Sequence, residues 1–318
     1  MPLGIKPIVD FAFKKIFGTA VQTEPLIGIL NAVLEPDERI IEVEILNPFS
    51  YQDFADDKLI VLDVRACDAA GRQLNIEMQL TVRGALRQRL VYYACSLFTD
   101  QLGKGEDFDL LRPAISICLL CANLFGDSVA HHRFRLADVA HGRTLDGTVE
   151  VHTVELMKYN LDEASISQAS RLEQWAFFLL YADRYEGDEL RKLLPADEFE
   201  EAISTMETIR DKTEDRIMYD QREKAQRDYL WAIRDARKEG REEGLEEGME
   251  KGIEKGLEKG LEKGLEKGLE KGKLIGKIEL LRELLGDAPG PRVELQEYSM
   301  DDLSALLAKL QERIRSRG

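Results

Sequence analysis

Apolar positions recur along the first hundred residues in two rhythms. From Ile8 to Phe17 they return every three or four residues, the helical period, and Gly18 supplies a stop; EPLIGILNAVL repeats the pattern and closes before Pro36. The rhythm then shortens. IIEVEILNP, DKLIVLDVRAC and LNIEMQL are rich in β-branched residues, separated by turn-type residues, and read as strands. A helical stripe returns at Leu86, Leu90, Tyr93 and Leu97 and stops at Gly103, and further strands are predicted over 114–124 and 151–157. Helices alternating with strands make an α/β fold.

Beyond about Asn160 only the helical period remains, in SRLEQWAFFLLYADRY, in DEFEEAISTMETI and in a charged stretch through Trp231. From Gly240 to Gly276 a glycine stands at every fourth position, with Leu, Glu and Lys filling the tetrads. As a helix, each tetrad turns the chain by about 400°, so the leucine row drifts roughly 40° per repeat and keeps no fixed face. Ten glycines cost a helix on the order of 10 kcal/mol relative to alanine. We read the repeat as a marginal helix acting as a spacer; the alternative is a multi-chain helix that uses the glycines for close approach. IELLRELLG and a segment capped by Ser299 and Asp302 read as two short helices able to dock or self-associate. The expected division is therefore an α/β domain over 1–165, a helical appendage over 166–237, the tetrad spacer over 238–276 and a helical tail over 277–318.

Composition narrows the function. The net charge of −16 opposes a passive, sequence-independent grip on nucleic acid, which relies on a basic surface. Residues 1–165 hold sixteen Lys and Arg against twenty-four Asp and Glu, half of that excess. Asp10, Lys14 and Lys15 interrupt any signal-peptide core, and the longest apolar run, AISICLLCANLF from Ala114, is too short to span a bilayer. Four cysteines in 318 residues make no disulfide framework. The expectation is a cytoplasmic protein with no membrane partner.

The oddity within the strands is a pair of acids, Asp63 and Glu77, in VLDVRACDAAGRQLNIEMQL. A hairpin centred on Ala70 in DAAGR sets them directly opposite each other, with Cβ atoms about 5 Å apart on one face. Alternation sends Asn75, Glu77 and Gln79 to that face and Leu74, Ile76, Met78 and Leu80 to the other. Like charges directly opposite destabilise a sheet, and a divalent cation shared by both carboxylates would relieve the conflict. The alternative pairs Asp63 with Arg65 or a helix arginine, or slips the register by one residue.

The order of VDFAFKKIFG, Asp63 in LIVLDV, Glu77-Met78-Gln79 in NIEMQ and the helix RQRLVYYACSLFTDQL resembles the PD-(D/E)xK nuclease superfamily, and within it the recombination-promoting nuclease (Rpn) or transposase group. The resemblance covers roughly residues 5–160 and, at its widest, the helical part to about residue 235. It implies a restriction-endonuclease-like mixed sheet flanked by helices, a DNA substrate, and Mg²⁺, with Mn²⁺ as a substitute. By the same resemblance Asp63 is the central metal ligand, Glu77 the second, the Met78 carbonyl a third, and Asp10 a further acid from the first helix. Gln79 stands where the superfamily has lysine. It can orient a water but cannot titrate, so charge stabilisation falls to Arg83, Arg87 or Arg89 on the following helix. The implied activity is metal-dependent DNA endonuclease cleavage linked to recombination or mobile elements. Transposase-type strand transfer, which uses the same carboxylates, and a non-catalytic binding or oligomerisation module that forms homo-oligomers through the repeat are the alternatives.

Other motifs point to packing. Cys118 and Cys121 form a C-x-x-C whose thiols turn to opposite faces of a strand, and no second pair completes a zinc site. His131, His132, His141 and His152 read as surface residues, and Tyr93 as core. There is no phosphate-cradling glycine loop and no G-x-S-x-G elbow.

Overall fold

The computed structural model describes residues 1–54, 63–82, 84–159, 161–287 and 292–316, in two compact units, Met1–Leu230 and Trp231–Gly318. The first unit begins with α1 (Asp10–Phe17) and α2 (Glu24–Leu34), whose apolar residues are almost all buried. The strands are β1 (Val43–Ile45), β2 (Asp63–Asp68), β3 (Gln73–Gln79), β4 (Ala114–Leu120), β5 (His131–Arg135), β6 (Ala137–Asp138), β7 (Arg143–Thr144) and β8 (Val149–Glu155). Six of them form one mixed sheet in the order β1-β2-β3-β4-β8-β5, while β6 and β7 make a separate small ribbon. β1, β2 and β3 are antiparallel, β3, β4 and β8 run parallel, and β5 returns antiparallel on β8.

The two faces of this sheet differ. Val64, Ala66, Leu74, Ile76, Met78, Ile117, Leu119 and Val154 enter the main core with α1, α2 and the later helices. The opposite face carries α3 (Leu86–Thr99), which seals Leu86, Leu90 and Ala94 against Cys118, Leu120 and Val151. α3 starts at Leu86, so Arg87 and Arg89 lie in its first turns, whereas Arg83 falls outside the described residues.

The helices expected as a separate appendage belong to the same core. α4 (Arg171–Tyr181), α5 (Gly187–Leu193) and α6 (Asp197–Asp211) contribute Trp175, Phe177, Phe178, Leu190, Phe199 and Met206 to the cluster that holds α1 and α2. They pack on α1 and α2 within one cluster, and the compact unit runs from Met1 to Leu230, so no boundary falls at residue 165. The first turns of α7 (Thr213–Leu285) are fastened to this unit through buried charges. Arg222 donates to Asp10, and Asp215 takes both Lys15, at 2.5 Å, and the Tyr51 hydroxyl, at 2.6 Å.

α7 then runs unbroken through the glycine tetrads and IELLREL to Leu285, where Gly286 at φ 71° ends it. IELLRELLG is thus the last part of a long helix, not a short helix of its own. In the second unit that end packs with α8 (Arg292–Glu297) and α9 (Met300–Arg315) around Ile275, Ile278, Leu285, Leu295, Leu303 and Leu310. The expected Ser299–Asp302 capping box is present on α9.

Candidate metal and nuclease site

The β2–β3 turn fixes the register that the sequence suggested. Asp68 Oδ1 accepts from the backbone N–H groups of Ala70 and Arg72 at 3.0 and 2.9 Å, its Oδ2 takes Arg72 Nε at 2.6 Å, and Gly71 supplies φ +80°. Counting back from this closed turn, Asp63 faces Glu77 and Arg65 faces Asn75. The Gln73 N–H donates to Pro113 and the Gln79 carbonyl accepts from Cys121, so odd residues of β3 bond toward β4. Asp63 and Glu77 therefore form a non-hydrogen-bonded pair, the closer of the two antiparallel geometries, with Cα atoms about 4.5 Å apart. By the same alternation the Met78 carbonyl points toward β2, the strand of Asp63, while its side chain is buried on the other face beside Cys121, Sδ to Sγ 3.9 Å.

Between these strands and α3 lies a cavity of about 250 Å³ lined by Asp63, Arg65, Asn75, Glu77, Tyr93, Ser96, Leu97 and Asp100. Glu77 is 1% exposed, and neither of its carboxylate oxygens has a partner in hydrogen-bonding geometry. Asn75 Oδ1, Ser116 Oγ and Arg89 Nε are buried on the same face, also without partners. Native proteins satisfy nearly all such atoms, so this concentration on one face marks a place built for something other than packing.

Burial is the largest influence on both acids and raises both pKa values. For Glu77 the nearby Arg89 guanidinium and the Cys118 thiol pull the other way, and Asp63 pushes it up again. For Asp63 the opposing charges are Lys14 and Arg65. Lys14 Nζ and Asn47 Nδ2 also donate to the Asp63 carbonyl, at 3.0 and 3.2 Å, which pins the start of β2.

The donor set is small. Among the described residues no group of three or more His, Cys, Asp or Glu side chains could enclose an ion. Two carboxylates opposite each other, one of them buried with both oxygens unpartnered, and a carbonyl directed toward the Asp63 strand fit a cation that keeps several waters, as Mg²⁺ does, and not an all-protein cage.

The remaining expected residues divide. Gln79 shares the acid face and is half-buried, near enough to Glu77 to lower its pKa. Asp10 does not line the cavity: its carboxylate is buried against Arg222 and the Phe11 N–H. Arg87 is exposed, lies over the Phe125 ring at 5.1 Å and donates to the Leu124 carbonyl, so it points away from the acids. Arg89, two residues on, lies 5.6 Å from the Tyr93 ring and is the α3 cation that acts on Glu77. Asn75 lies on the acid face as expected, whereas Ser96 and Asp100 were missed. The spacing of Arg89, Ser96 and Asp100 could have found them, since it sets a polar row beside the apolar stripe of α3.

The histidines correct another expectation. His152 is buried, with its Nδ1 2.8 Å from His131 Nε2 and its Nε2 2.5 Å from Glu150. His152 shares the sheet face of its strand partner Ile117, which packs into the main core, and burial with the neighbouring rings pulls the His131 pKa down to about 4. Cys118 and Cys121 turn to opposite faces as expected, and all four cysteines are free.

No curated protein and no solved structure matches the chain. The model of one family does, over residues 7–236, which takes in the whole sheet, the acid pair and the helices behind it. With its mixed six-stranded sheet and paired acids, the chain belongs to the PD-(D/E)XK nuclease family transposases.

Proposed function

We propose that the chain is a divalent-metal-dependent DNA endonuclease whose metal is held by Asp63, Glu77 and the Met78 carbonyl. Family membership supports nuclease-type chemistry on DNA; the observation that carries the metal assignment is the buried, unpartnered Glu77 carboxylate opposite Asp63. A Mg²⁺ ion there would act as a Lewis acid and lower the pKa of a water it holds. The residues around it have separate tasks. Asp63 and Glu77 supply negative charge that an acidic protein otherwise lacks reason to bury, and Glu77 has no partner in hydrogen-bonding geometry, so both of its oxygens stay available. Gln79 orients the attacking water through its amide without exchanging a proton. Arg89 offers the positive charge that a lysine in place of Gln79 would have brought, and it stabilises charge building on the phosphoryl oxygens. The water oxygen bonds to phosphorus as the bond to the leaving sugar oxygen breaks; the water gives a proton to solvent and the leaving oxygen takes one from solvent.

The biological setting supported by the family is DNA recombination or a mobile element. One observation favours a second reading: Gln79 removes the titratable lysine, which suits strand transfer or a binding module with a reduced site. Purified wild type and Asp63→Ala, assayed side by side on supercoiled plasmid with Mg²⁺, Mn²⁺ or EDTA, separate these. Metal-dependent nicking by wild type alone is the expected result. Two folded proteins that cut under no condition would leave the binding module.

A further inference from the structure

Six consecutive tetrads from Gly248 to Lys271 place four chemically uniform rows along α7. Around the helix the order is Lys, Gly, Leu, Glu, with Met249 and Ile253 opening the leucine row. That row is unpartnered: Ile253, Leu257, Leu261, Leu265 and Leu269 are 55–72% exposed. The glycines beside it form a groove, since a Cβ at any of Gly252 to Gly268 would meet no atom within 4 Å. Among the described residues, Glu254 to Lys267 enter no ion pair within the chain.

We infer that this face binds a second copy of the same helix, in parallel orientation. Ridge and groove lie side by side in i, i+4 rows, the arrangement that lets two helices interdigitate at about −50°. The contact spans about three tetrads, because the rows drift roughly 40° per repeat on a straight helix. Charge order selects the polarity. In a parallel pair related by a two-fold axis along the helices, the glycine side of one copy meets the leucine side of the other. Each leucine then enters a glycine groove, and each lysine row runs beside the second copy's glutamate row. In an antiparallel pair glycine meets glycine, lysine meets lysine and glutamate meets glutamate. Only the parallel arrangement satisfies shape and charge together. The glycines, costly to a lone helix, are explained by the close approach they permit.

The test uses the full chain in three forms. The first is wild type. The second is a variant with Glu and Lys exchanged within the tetrads at 254/255, 258/259, 262/263 and 266/267, which preserves composition, net charge and helix propensity. The third carries Gly256→Val, Gly260→Val and Gly264→Val, at positions where an added Cβ meets nothing within 4 Å in a single chain. Sedimentation equilibrium at up to about 100 µM should show dimers for wild type and for the exchanged variant, and at least tenfold weaker association for the valine variant. Labelled wild type and exchanged chains, mixed, should sort into separate dimers, because a mixed parallel pair sets lysine against lysine. Preferential mixed dimers would overturn the parallel assignment. A monomeric wild type, or a dimer that survives the valine substitutions undiminished, would overturn the interface.

Discussion

At the scale of single residues, Glu77 shows why the acid face is a site. A buried carboxylate with no partner in hydrogen-bonding geometry carries a desolvation cost of about 1–3 kcal/mol or more, which Arg89, Cys118 and Gln79 offset only in part, since the pKa stays raised. Glu77→Gln keeps the shape and removes the charge, so metal-free protein should gain about 1–3 kcal/mol at pH 7 by urea unfolding, while losing its metal response. The pH dependence has a definite sign. Both acids have raised pKa values in the folded state, so the stability they contribute is fully present below their unfolded values and is lost as pH rises through the folded ones. Acidifying metal-free wild type from pH 7 toward 5 should therefore stabilise it relative to Glu77→Gln. Mg²⁺ should reverse that order at pH 7. The pairing of Asp63 with Glu77 was legible because DAAGR has one centre of symmetry and strand alternation does the rest. Asp10 was misread because a carboxylate on a first helix looks alike whether it faces a cation or an arginine more than two hundred residues away.

At the scale of elements, α3 decides which arginine serves the site. Its buried stripe of Leu86, Leu90, Ala94 and Leu97 leaves Arg87 against Phe125 and Arg89 beside Glu77, a difference that the sequence reading, which offered either arginine, did not draw. Arg89→Ala should lower the cleavage rate by about 10²-fold, the scale of one lost charge-stabilising donor, and should not weaken metal binding, since it removes a cation from beside the acids. Because Arg89 holds the Glu77 pKa down, its loss should also move the onset of activity to higher pH. Arg87→Ala should change the rate less than threefold. Equal losses in both variants would contradict the assignment. The continuity of α7 was not legible either. Glycine propensity argues against a helix, but propagation is cheap once both ends are packed, as Tyr219 and Arg222 are at one end and Ile275 to Leu285 at the other.

At the scale of the whole molecule, the helical segment that follows the strands is part of the nuclease core. A chain ending at residue 237 keeps the Asp10–Arg222 and Lys15–Asp215 pairs and should fold cooperatively with its nicking rate per molecule within about threefold of full length. A chain ending at residue 212 strands Asp10 and Lys15 in a buried setting and should lose about 3–5 kcal/mol of stability, read by thermal unfolding. The fold class was legible from alternating periods, whereas the domain limits were not, since periodicity reveals a helix but not which face of a sheet it covers. The net charge of −16 adds that DNA binding at matched ionic strength should strengthen with Mg²⁺ and weaken in EDTA.

The most direct test of the central claim is calorimetric titration of the full chain with Mg²⁺ and Mn²⁺, at pH 7.5, on wild type, Asp63→Ala and Glu77→Gln. One ion should bind per wild-type chain with release of protons, and binding should be at least tenfold weaker in each variant. Undiminished binding in both variants would contradict it, as would a folded wild type that binds neither ion with or without DNA.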